Sequence, residues 1–153
     1  SPESARYAAF LVMIMALFLA VAVSIINFIF RSEIASLYSS DEAVQKMAVS
    51  FITVASAYHI ADAIQCSGSC VLRGYRITLI PMLVHSCLLC GVGLSLGSWF
   101  AGLLPADPFS LGALGFWIGA AVGLAFAALV IGPFTLASAN RQAGRRILNL
   151  HLN

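Results

Sequence analysis

Apolar residues run along this chain in four long blocks, at about residues 7–30, 41–72, 78–104 and 110–137, with short polar breaks between them. Each block exceeds the ~20 residues a helix needs to cross a bilayer. Backbone facing lipid must satisfy its own hydrogen bonds, which helices and closed barrels alone achieve. A barrel requires alternating segments of ~10 residues, and a stretch such as FLVMIMALFLAVAVSII does not alternate. The pattern predicts an all-α integral membrane protein, one transmembrane body over residues 1–153 with four transmembrane helices.

The breaks predict how those helices begin and end. RSEIASLYSSDEAVQK, residues 31–46, is the longest polar stretch. Within it Ser39 and Glu42 have the spacing of a capping box, in which hydroxyl and carboxylate satisfy first-turn amides reciprocally. The second helix is expected to start there. RGYRIT (73–78) reads as a tight loop, and LPADPFSLGA (104–113) carries two prolines that end the third segment. The tail, residues 138–153, opens polar and predicts a short surface helix.

Composition agrees with the pattern. The chain is 61% hydrophobic and only 9% charged, against roughly 25% charged in soluble domains. A net charge of +2 is too small to suggest nucleic acid as a partner. The first residues, SPESARYAAF, lack a basic n-region and cleavage site, so the chain reads as a segment of a longer protein. The basic residues orient it. With four crossings both ends fall on one side, together with six of the eight basic residues: Arg6, Arg73, Arg76, Arg141, Arg145 and Arg146. Arg31 and Lys46 fall on the other. The positive-inside rule then puts both ends and the 73–76 loop in the cytoplasm.

One carboxylate does not fit a lipid-facing helix. Asp62 lies about ten residues before Arg73, hence ~15 Å from the inner end. An ionised Asp at mid-membrane costs ~2.5–3.5 kcal/mol on insertion scales, and such acids usually face a bundle interior or a wet cavity. Tyr58, Asp62, Gln65 and Ser69 recur at i, i+4, i+7 and i+11, so they share one helix face. A phenol, a carboxylate and an amide form a partial shell for a proton, a sodium ion or a cationic ligand. The plainer alternative is a protonated Asp62 bonded to a neighbouring helix as packing glue.

Other side chains carry weaker signals. His59 is ~100° around the helix from Tyr58. His59, Asp62 and Cys66 lack a strict metal-ligand spacing. Cys87 and Cys90 form a CxxC inside an apolar helix, where buried small hydrophobes are the ordinary reading. His85 reads as a packing or interfacial residue. SGSC at 67–70 offers the close helix contact that small residues permit. Trp99 and Trp117 read as interfacial anchors near the outer ends. A membrane-embedded enzyme using His59 and Asp62, or the cysteines, is the second function class open to these residues.

Several ordered motifs resemble a known family. IASLYSSDEAV, YHIADAIQ, VLRGYRIT followed by IP, GLSLGSW and GALGFWIG are together similar to the C-terminal end of multidrug and toxic compound extrusion (MATE) transporters of the NorM-type branch. The resemblance covers nearly the whole chain but only the last four of the family's twelve helices. It puts Tyr58 and Asp62 where that branch has its cation-site tyrosine and aspartate. Ser95, Ser98 and Ile77 depart from the family pattern, at positions that touch helix shape. The acids that the family carries on earlier helices are absent from this segment. The resemblance implies a segment of the C-terminal six-helix half of a multi-pass transporter in the bacterial cytoplasmic membrane. It implies export of organic cations by antiport with protons or sodium, alternating access between two halves, the preceding helices as partners, and no cofactor beyond the coupling ion.

Overall fold

The structure, a computed structural model, describes residues 2–103 and 111–151. Its helices are α1 (Pro2–Ile29), α2 (Arg31–Tyr38), α3 (Glu42–Gly74), α4 (Leu79–Ser86), a π-helical turn at Cys87–Gly93, α5 (Leu94–Phe100) and α6 (Ala113–His151). Four stretches are long and apolar enough to cross a membrane: Glu3–Ile29, Glu42–Gly74, Leu79–Phe100 and Ala113–Gly144. The protein is thus a helical membrane protein, and the third crossing is α4, the π turn and α5 in series. Of the loop expected at 104–113, residues 104–110 lie outside the described residues.

Two polar stretches hold more helix than their composition suggests. The 31–46 break contains α2, an eight-residue helix that packs on α3 and buries Ala35. The tail expected as a separate short helix from 138 instead continues α6 without interruption, past Pro133, to His151. The start of α3 corrects the capping-box expectation. Asp41, not Ser39, is the N-cap: Asp41 Oδ1 accepts from the backbone N–H of Ala43 at 2.8 Å and of Val44 at 3.4 Å. Ser39 ends α2, its hydroxyl accepts from the Asp41 N–H, and Glu42 pairs instead with Lys46 at 3.3 Å. Asp41 wins because it sits directly before the first helical residue, where one carboxylate reaches two free amides. Asp41→Ala should therefore raise hydrogen exchange at Ala43 and Val44 about 2- to 30-fold, the equivalent of ~0.5–2 kcal/mol. Ser39→Ala should leave those two amides unchanged.

The far end of α3 closes with a Schellman arrangement. Ile77 N–H donates to Leu72 O and Arg76 N–H to Arg73 O, both at 2.9 Å. Arg76 takes the left-handed position, φ +62°, that glycine usually fills. The Tyr75 hydroxyl donates to Ala5 O at 3.4 Å, so the start of α1 and the 75–77 loop share one end of the bundle. α3 packs on both α1 and α6.

The core is built from small residues. α6 is its centre, with Leu124, Ala127, Ile131, Thr135 and Ala139 buried. On α3, Ser67, Gly68 and Ser69 are buried, and a Cβ at Gly68 would lie 2.9 Å from Ile131 and 3.0 Å from Thr135. Thr135 Oγ1 donates to Gly68 O at 3.3 Å and to Ile131 O at 2.7 Å. This is the close helix contact expected of SGSC. The tightest seam lies elsewhere. Gly115, Gly119 and Gly123 recur every four residues along α6 and meet the backbone of the third crossing at Phe100, Gly97, Gly93 and Leu88. Helices in lipid gain little from apolar contact and depend on such close packing. Large apolar side chains cover the outside instead; Phe18 is 76% exposed.

Candidate functional site

α3 carries the candidate site as one face of a continuous helix. Asp62 lies twelve residues before Gly74, so ~18 Å from that end. It is half-buried. α1, α2 and α6 all pack on α3, yet no hydrogen bond or ion pair reaches the Asp62 carboxylate among the described residues. Among the described residues, Asp62 is the one acidic residue deep inside a crossing.

The structure divides the predicted polar stripe into two parts on either side of Asp62. Toward the 39–41 end, Tyr58 is half-buried and its ring meets Trp117 of α6 edge-on, with centroids 6.2 Å apart and planes at 66°. Phe51 also meets Trp117 edge-on, at 6.2 Å and 70°. Toward the 75–77 loop, Gln65 and Ser69 are buried together, and Gln65 Nε2 donates to Ser69 Oγ at 3.3 Å. Gln65 is therefore turned along the helix to Ser69. Tyr58 and Asp62 are one turn apart, with no hydrogen bond between them.

The other sequence candidates fall elsewhere. Among the described residues, no three of His, Cys, Asp and Glu gather closely enough to hold a metal ion, so His59, Asp62 and Cys66 do not form a cluster. Cys87 and Cys90 are free and exposed on the π turn. Trp99 stacks on Phe100. Sequence reasoning missed Trp117 as a neighbour of Tyr58 and took it for a membrane anchor alone. Phe51 and Tyr58 are seven residues apart, hence on one helix face, and that aromatic stripe was the available signal. Aromatic edge-to-face pairs contribute ~0.5–1.5 kcal/mol each. Trp117→Ala removes both ring pairs and should therefore destabilise the fold by about 1–3 kcal/mol, read by thermal unfolding in mild detergent.

Two cavities flank this face. The larger, about 700 Å³, is an apolar groove between α1, α3 and α6, lined by residues such as Phe10, Ile14, Ile60, Ile64 and Leu129. It includes none of Tyr58, Asp62 or Gln65. The smaller, about 450 Å³, has a mixed polar and apolar lining, lies between α3 and α4, and begins at Gln65 and Cys66.

The chain also matches known proteins. The MatE family model matches residues 1–99. A probable multidrug resistance protein NorM of Neisseria meningitidis serogroup B is 34% identical over 83% of the chain and 27% of that relative. Multidrug resistance protein MdtK of Yersinia pseudotuberculosis is 35% identical over 86% of the chain and 28% of that relative. A probable NorM of Aromatoleum aromaticum is 31% identical over 72% of the chain and 24% of that relative. The chain thus spans about a quarter of the length of these curated relatives. No solved structure matches it. The four crossings, the MatE match over most of the chain and identity above 30% to NorM and MdtK proteins together make this chain a member of the MatE (multidrug and toxic compound extrusion) family.

Proposed function

We propose that this chain forms the last four helices of a twelve-helix transporter that exports organic cations across the bacterial cytoplasmic membrane. Export is driven by protons or sodium moving inward. The observation that carries this is Asp62, a carboxylate deep in a crossing with no partner among the described residues. Such a group is expensive in a membrane and usually marks an ion or substrate pathway. The printed names of the relatives, multidrug resistance proteins, supply the substrate class. An enzyme built on His59 or the cysteines has no comparable support, since members of this family are transporters.

The chemistry follows from charge. Asp62 holds one cation at a time, because two cations beside one carboxylate repel each other. Binding of a proton or sodium ion displaces a drug cation, and the reverse. Tyr58 offers a hydroxyl one turn away and, with Trp117, an aromatic wall that attracts cations through its ring faces. Gln65 offers an amide at the inner edge. An aliphatic and aromatic surround binds varied cations without a fixed hydrogen-bond code. The preceding helices complete the cavity, and the two halves rock about it. Both ends of this segment face the cytoplasm, by the distribution of its arginines.

The test is efflux of a cationic dye from vesicles that hold the full-length protein carrying this chain. Dye should leave against its gradient only when a proton or sodium gradient is imposed. Efflux that ran equally fast without any ion gradient would contradict antiport.

A further inference from the structure

Three sulfur side chains line the space between α3 and α4. Cys66 and Cys70 reach it from α3, at i and i+4, and Met82 reaches it from α4. Residues four apart are neighbours on a helix surface, and the side chain of Cys66 is in hydrogen-bond contact with that of Cys70. Both thiols are free and exposed. Cβ atoms at i and i+4 stand ~5–6 Å apart, whereas a disulfide needs ~3.5–4.5 Å. The pair therefore resists closing on itself, while a single atom placed between the two sulfurs bridges them without bending the helix. Arg73 lines the same space, three residues beyond Cys70 and on the same face. Cys87 and Cys90 do not line it.

The donors select the ion. Thiolate and thioether sulfur favour soft ions: Cu(I), zinc or iron–sulfur clusters. Structural zinc takes a closed set of four ligands, and iron–sulfur clusters take four cysteines. Among the described residues no three of His, Cys, Asp and Glu gather closely enough for either. Cu(I) is held by fewer donors, and two thiolates with a thioether suit it. We propose that Cys66, Cys70 and Met82 form a Cu(I) site that ties α4 to α3. Each thiol S–H breaks as a Cu–S bond forms, two protons leave, and no oxidation state changes. Two thiolates around one Cu(I) carry a net negative charge, and the Arg73 guanidinium, always ionised, offsets it. Asp62, one turn beyond Cys66, is a hard oxygen donor and takes no part. Cys70 lies four residues before Gly74, hence ~6 Å from the loop end of α3, which gives the ion its entry. The distribution of arginines puts that loop in the cytoplasm, where thiols stay reduced. The site does not depend on the antiport reading.

The test uses the purified full-length protein with Cys66 and Cys70 as its sole cysteines, in mild detergent without oxygen. Cu(I) is titrated in competition with a colorimetric Cu(I) chelator. One Cu(I) should bind per chain. Losing an outer partner of a metal site typically costs ~10- to 100-fold in affinity, so Arg73→Gln should weaken binding about tenfold. Cys66→Ser and Cys70→Ser remove ligands and should each weaken it more than about 100-fold, beyond that range. Cys70→Ser combined with Val71→Cys keeps two thiols but turns one ~100° off the shared face, and it should bind no better than Cys70→Ser alone. X-ray absorption of the loaded protein should show sulfur-only coordination that loses one sulfur in Met82→Leu. Failure of the parent to bind Cu(I), equal affinity after Cys66→Ser, or full affinity in the Val71→Cys combination would overturn the site.

Discussion

Gly119→Leu should abolish a stable fold, and Gly119→Ala should already cost about 3 kcal/mol or more. A Cβ at Gly119 would overlap Gly97 N and lie 2.5 Å from Gly93 O. Both are backbone atoms of the neighbouring crossing, so no rotamer change relieves the clash. Overpacking in a tight core usually costs ~1–3 kcal/mol, and here the whole third crossing has to move. Its contacts at Gly115 and Gly123 are equally close: Cβ atoms there would lie 2.5 Å from Phe100 C and from Leu88 O. Helices in lipid have little hydrophobic drive to stay together once backbone approach is lost. Gly91→Ala is the control, because nothing lies within 4 Å of its Cβ position. Size-exclusion chromatography in mild detergent should show monodisperse protein for Gly91→Ala and aggregate for Gly119→Leu. Equal stability of Gly119→Ala and Gly91→Ala would mean that the two crossings do not meet there.

Asp62→Asn should insert and fold near normally and yet lose at least tenfold of gradient-driven dye efflux. The amide keeps the size and most of the hydrogen-bonding capacity of the carboxyl group. Removing a charge that costs ~2.5–3.5 kcal/mol at mid-membrane relieves the fold. What disappears is the group that a proton, sodium ion or drug cation would neutralise. Tyr58→Phe should be milder, since it removes one hydroxyl and keeps both the charge and the ring against Trp117. If Asp62 acted only as packing glue, Asp62→Asn would transport normally, because the amide still bonds a neighbouring helix.

The four crossings were legible because lipid demands uninterrupted apolar runs, and those runs are visible without any partner. α2 was not, since an eight-residue polar helix is held by packing on α3 and its sequence reads as loop. The continuation of α6 past 138 was hidden for the same reason: a polar run on a long helix looks like a tail. The capping error at Ser39 came from a motif match that ignored the nearer carboxylate of Asp41. The π turn at Cys87–Gly93 has no local sequence code in CLLCGVG. Gly115, Gly119 and Gly123 had the right spacing all along. Their partners at Gly93 and Gly97 lie on another crossing, and only three dimensions reveal which glycines face one another. The stripe of Tyr58, Asp62 and Gln65 was legible from helical periodicity. The direction of the Gln65 amide, toward Ser69, was not, because a side-chain torsion leaves no mark on spacing. Likewise Trp117 gives no sign in sequence that Tyr58 is its neighbour.

The central claim is that Asp62 trades a coupling cation for a drug cation, and proton release on drug binding tests it most directly. The purified full-length protein is placed in weakly buffered detergent solution with a pH-sensitive dye, without sodium, and an organic cation is added. Wild type should release close to one proton for each drug molecule bound, and Asp62→Asn should release none. Equal release from both proteins would contradict the account.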